Sequence, residues 1–92
     1  MKLKIKFLKP FSDAVDKSEL ELDFNGINLE ELLELLIDRY PKLKTEFYTK
    51  TNELSDNMCI FVNDKPTSAL KGIKTKLKND DELIFFIPIS GG

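Results

Sequence analysis

The chain has 92 residues, with 14 Lys and Arg against 16 Asp and Glu, no His and one Cys. That length suits one domain, residues 1–92, and the interspersed, nearly balanced charge offers no basic field for nucleic acid. Without His, imidazole triads and His-ligated metals are excluded, and one Cys builds neither a Cys-rich zinc site nor an internal disulfide.

Leu3, Ile5 and Phe7 alternate with Lys2, Lys4 and Lys6, a period of two that predicts a half-buried strand. Leu20, Leu22 and Phe24 alternate with Glu19, Glu21 and Asp23, predicting a second strand. Paired antiparallel, the two would set Lys against Glu or Asp, each pair contributing about 0.2–1 kcal/mol. The link from Lys9 to Ser18 reads as an irregular loop or a short turn of helix. Asn28 is an N-cap candidate, with Glu31 three residues on as in a capping box. Leu29, Leu32, Leu33, Leu36, Ile37 and Tyr40 then follow one helical face, which Pro41 ends. Leu43, Phe47 and Tyr48 suggest a second short helix or packed turn, and Lys50 to Asp56 a polar loop. Met58 to Val62 predicts a third strand, and Asn63-Asp64 a turn. A short edge strand is expected around Ala69-Leu70. Asn79, Asp80 and Asp81 form another turn, leading into a last strand from Leu83 to Ile89.

The order of strand, strand, helix, strand, irregular segment and strand predicts an α+β fold. It is a mixed four- to five-stranded sheet with one long helix across one face. A right-handed crossover brings the last strand parallel to the first. At the level of fold analogy this is the β-grasp of ubiquitin-like domains. No apolar run is long enough to span a bilayer, and the N-terminus lacks the continuous apolar stretch of a signal peptide. A cytoplasmic location is expected. Gly26 and Gly72 are isolated, so there is no Gly-rich phosphate loop.

The last strand is apolar on both sides. If Leu83, Phe85 and Ile87 face the helix, then Ile84, Phe86 and Pro88 face away. Should the third strand neighbour the last, Cys59 and Phe61 join them. Such a patch is a candidate partner surface. The alternative is that Lys9–Ser18 or Lys42–Asp56 folds back and covers it.

Ser90, Gly91 and Gly92 end the sequence and are expected to form a flexible tail, residues 90–92. Glycine has no Cβ, so such a tail can lie flat in a narrow channel. What it delivers is the α-carboxylate of Gly92. An ionised carboxylate is a poor electrophile and needs a leaving group before acyl transfer. Adenylation by ATP supplies one, and nothing here binds ATP recognisably, so another protein must do it. Displacement of AMP by sulfide-level sulfur gives a thiocarboxylate. Passage through an enzyme thiol to a lysine gives an isopeptide conjugate. The tail alone does not choose between them.

From Asp81 to Gly92, and most sharply at Phe86-Ile87-Pro88-Ile89-Ser90-Gly91-Gly92, the chain resembles the small, sulfur-carrying subunit of molybdopterin synthase. Weaker echoes are Leu29-Glu30-Glu31-Leu32-Leu33, Arg39-Tyr40-Pro41 and Val62-Asn63. The resemblance implies a thiocarboxylate on Gly92, Gly91 and Ser90 in the threaded tail, and Phe86 as the aromatic that docks on partners. Ile84, Pro88, Ile89 and Phe61 would complete that surface. It also implies two partners, an adenylating enzyme of the ubiquitin-activating class and the larger synthase subunit. The carrier itself would have no catalytic residues, metal or bound cofactor; ATP and a sulfur donor would act through the activating partner. Ile87 departs from the resemblance, standing where many such subunits have a first Pro. Carriers for thiamine or tRNA sulfur, and archaeal-type protein modifiers, have similar tails. A non-covalent interaction module is the alternative of another class. Cys59 reads as a packing residue, and Asp80, Asp81 and Glu82 as solvated turn acids.

Overall fold

The computed structural model describes residues 1–88. Five strands form one mixed sheet: β1 Lys2–Phe7, β2 Glu19–Asp23, β3 Cys59–Val62, β4 Lys65–Pro66 and β5 Glu82–Phe86. Their spatial order is β2-β1-β5-β3-β4. β1 runs antiparallel to β2 and parallel to β5, while β3 is antiparallel to both β5 and β4. The expected parallel pairing of first and last strands is therefore present. So is the expected charge register, with Lys2 opposite Asp23, Lys4 opposite Glu21 and Lys6 opposite Glu19. None of these pairs closes to an ion pair, since the two within 4.0 Å among the described residues are Lys9–Asp13 and Lys74–Glu30. The rails attract across the surface without fixing each other's side chains.

The long helix α2, Leu29–Arg39, begins as its sequence dictates. Asn28 is extended, and its Oδ1 accepts from the Glu31 N–H at 3.1 Å. Leu29, Leu32, Leu33 and Leu36 are fully buried against the sheet, with Ile37 and Tyr40 packed at the margin. Two short helices flank it, α1 Phe11–Val15 and α3 Leu43–Phe47. They deliver Phe11 and Phe47 to the core. Phe85 lies 5.5 Å from Phe7, 6.1 Å from Phe11 and 5.4 Å from Phe47, centroid to centroid. This aromatic cluster lies on the helix side of the sheet. The segments that could have covered the opposite face are thus recruited to the core instead.

Three expectations change. The edge strand is Lys65–Pro66, not Ala69-Leu70. Asn63 and Asp64 both have positive φ (49° and 70°), so a two-residue hairpin turn starts the return strand at once. Pro66 is accommodated because β4 is an edge, and Thr67–Ala69 then winds into a 3-10 turn. Second, Ile87 does not join Leu83 and Phe85 inside; it is 39% exposed. The ladders end at Phe7–Phe85 and Cys59–Phe86, so among the described residues no strand pairs with the chain beyond Phe86. Third, Asp81 is buried, not solvated.

Candidate functional site

The face of the sheet away from α2 is built by alternation. Lys2, Lys4 and Lys6 occupy it on β1, Ile84 and Phe86 on β5, and Cys59 and Phe61 on β3. Register brings the apolar members together: Cys59 lies opposite Phe86, Phe61 opposite Ile84, and Pro66 opposite Phe61. The Phe61 and Phe86 rings are 5.5 Å apart, inclined at 47°. Cys59, Phe61, Ile84 and Phe86 are all half-buried, whereas their strand neighbours Ile60, Val62, Leu83 and Phe85 are buried. The free Cys59 thiol is one more member of this apolar surface.

Sequence reasoning missed one member. Leu8 is 54% exposed, and its N–H bonds the Phe85 carbonyl at 3.0 Å, which carries β1's alignment one residue further along β5. The signal was available: positions 2, 4 and 6 face outward, so position 8 does too, and it is apolar. The row nearest the chain's exit is thus Leu8, Phe86 and Cys59. Pro88, just beyond, is exposed. Ile89, Ser90, Gly91 and Gly92, all assigned to the site from sequence, lie outside the described residues.

A polar clamp centred on the buried Asp81 holds β3 and β5 in this register. Asn63 Nδ2 donates to Asp81 Oδ1 at 2.7 Å, and Asn63 Oδ1 accepts from the Glu82 N–H at 2.9 Å. The Asn63 N–H donates to the Glu82 carbonyl at 2.9 Å, and Asp81 Oδ2 accepts from the Lys78 N–H at 2.7 Å. Asn63 looked like a simple turn residue from sequence; it is a positioning residue for the face. Beside the apolar patch the sheet forms an open, charged trough of about 700 Å³, lined by Lys4, Lys6, Glu19, Glu21, Glu82 and Ile84 among others. Among the described residues no group of three His, Cys, Asp or Glu could hold a metal ion. No helix there is long and apolar enough to cross a membrane. What the geometry provides is an open sheet face, apolar at one end and alternating in charge at the other.

A mixed sheet in the order 2-1-5-3-4, clasping one long helix, defines a β-grasp, ubiquitin-like protein. Residues 5–92 match the ThiS family, and the chain belongs to that family of small sulfur carriers and ubiquitin-like modifiers. An Archaeoglobus fulgidus protein provisionally described as a sulfur carrier is 27% identical over 79 residues, covering 86% of this chain and 90% of its own. The solution structure of small archaeal modifier protein 1 from Methanosarcina acetivorans is 31% identical with a TM-score of 0.84, covering 99% of this chain and 96% of that one. A Pyrococcus furiosus protein provisionally described as molybdopterin converting factor, subunit 1, shares the fold at 23% identity and a TM-score of 0.74, over 97% and 99% of the two chains.

Proposed function

We propose that this protein carries sulfur as a thiocarboxylate on Gly92 and delivers it in molybdopterin biosynthesis. The observation that carries the reading is the open apolar face of Leu8, Phe61, Ile84 and Phe86 at the point where the chain leaves the sheet. A partner anchored on that face is within reach of the chain's end. Six residues follow Phe86, and at about 3.5 Å each they extend up to roughly 20 Å. Four of those six residues precede Gly91-Gly92, and the two glycines, lacking Cβ, would enter a partner's channel without side-chain obstruction.

The chemistry proceeds in two steps, both on partner proteins. A Gly92 carboxylate oxygen attacks the α-phosphorus of ATP, releasing pyrophosphate and leaving an acyl adenylate. Sulfide-level sulfur from a donor then attacks the acyl carbon and expels AMP, leaving the thiocarboxylate. The adenylating enzyme is of the ubiquitin-activating class, and the acceptor-side partner is the larger synthase subunit. The molybdopterin assignment draws its support from the Phe86-x-Pro88-x-Ser90-Gly91-Gly92 ending, together with the description of the Pyrococcus neighbour. A second reading, transfer of Gly92 to protein lysines, draws support from the 31% identity to an archaeal modifier.

Intact-mass measurement of protein from its native host tests these readings. A species heavier by the difference between sulfur and oxygen, localised to Gly92, is the expected result. Lysine-linked adducts with no sulfur-bearing form would replace the carrier reading with the modifier. Loss of the gene should abolish pterin dithiolene formation; an unaltered level would remove the molybdopterin assignment.

A further inference from the structure

We propose that the outer edge of β2 is a second docking site, taking an extended partner segment that alternates basic and apolar residues and adds to the sheet as a sixth strand. The register identifies which backbone groups are free. Met1 and Phe24 exchange both hydrogen bonds, at 3.1 and 2.8 Å, and the Phe7 N–H bonds the Ser18 carbonyl at 2.9 Å. Antiparallel alternation then turns the backbone of Leu20 and Leu22 toward β1. The N–H and C=O groups of Glu19, Glu21 and Asp23 therefore point out of the sheet. Among the described residues, β1 is the one strand paired with β2. The opposite edge differs: β4 has two residues, one of them Pro66, and gives way to a 3-10 turn.

The side chains on this edge select the occupant. In an added antiparallel strand, the residues opposite Glu19, Glu21 and Asp23 share their face of the sheet. Those carboxylates face Lys6, Lys4 and Lys2 in register, yet none closes to 4.0 Å, so each is free to receive a second cation. The intervening residues fall on the helix side, beside the half-buried Leu20 and beyond it Leu22. The fitting pattern is therefore Lys/Arg–apolar–Lys/Arg, the pattern β1 already shows to fit the other side of β2. Antiparallel pairing with the β2 of a second copy would set acid against acid at every hydrogen-bonded position, which is destabilising. The same charges that deter self-association specify a basic partner strand.

The test uses the full chain, labelled for NMR, and a seven-residue peptide alternating Arg and Val. Shift changes and slowed amide exchange should concentrate at Glu19, Glu21 and Asp23. A peptide alternating Glu and Val should leave them unmoved. The double variant Glu19→Lys/Glu21→Lys should bind the Arg peptide about tenfold more weakly or worse. An Arg peptide N-methylated on the residues that face β2 keeps its charge but cannot add as a strand. Wild-type protein should lose it, which tests the proposal even if the double variant folds poorly. Equal binding of the methylated peptide, or shifts centred on Phe61 and Phe86 instead, would overturn strand addition at this edge.

Discussion

Phe85 and Phe86 are adjacent in sequence and opposite in consequence. Phe85 is fully buried among Phe7, Phe11 and Phe47, so Phe85→Ala removes the centre of the aromatic core. It should cost about 3–5 kcal/mol in denaturant unfolding. Phe86 is half-buried and touches the ring of Phe61 on the open face. Phe86→Ala should cost clearly less stability, yet weaken partner binding at least tenfold, as expected of an aromatic hot spot. If both properties fall together, Phe86 is a core residue and the face is not a docking surface. Asp81 makes a different prediction. Its buried carboxylate accepts from Lys78 N–H and Asn63 Nδ2, so Asp81→Ala removes the acceptor of both bonds. A loss of about 1–3 kcal/mol is expected by chemical denaturation, with NMR shift changes reaching Phe61 and Ile84 through the β3–β5 register.

At the scale of elements, α2 depends on its cap. Asn28→Ala removes the acceptor for the Glu31 N–H and should cost about 1 kcal/mol in thermal or urea unfolding. Tyr48, the residue that ends α3, feels two acidic side chains of α2. Burial, then the fields of Glu34 and Glu30, raises the Tyr48 phenol above its ordinary value of 10.0. The folded state therefore holds that proton more tightly than the unfolded chain. Its contribution to stability is complete below pH about 10 and is lost as pH rises through the higher folded value. Tyr48→Phe should flatten the stability curve above pH about 10 and leave neutral pH untouched, as read from urea midpoints across the range.

Much of this element layer was legible from residue periods alone. Lys/apolar and Glu/apolar alternation determined β1, β2 and their charge register, and the Asn28–Glu31 spacing determined where α2 begins. What escaped was tertiary. Whether Phe11 and Phe47 cover the open face or enter the core depends on which side of the sheet their short helices fall. Asp81 reads as solvated until Asn63, eighteen residues away, is folded onto it. Ile87 continues the strand pattern, but no neighbouring strand extends far enough to bury it.

Three regions of the molecule are separated by position. The core lies between α2 and the sheet, the open face is apolar toward the chain's exit, and the acidic β2 edge stands two strands away from β5. Removing Gly92 should therefore leave the unfolding midpoint and binding to the adenylating enzyme nearly unchanged while ending turnover. Gly91→Val should act likewise, because a branched side chain would obstruct the narrow partner channel proposed for the tail. Stability measured by urea unfolding and affinity measured by calorimetry separate these effects from a folding defect.

In the proposed function the Gly92 carboxylate is the reacting group. The most direct measurement is mass spectrometry of the chain after incubation with the adenylating enzyme of its host, ATP and magnesium. The expected result is an AMP adduct on Gly92 that a sulfur donor converts to a thiocarboxylate, and no adduct on the chain lacking Gly92. Equal modification of the shortened chain, or an adduct on any other residue, would contradict it.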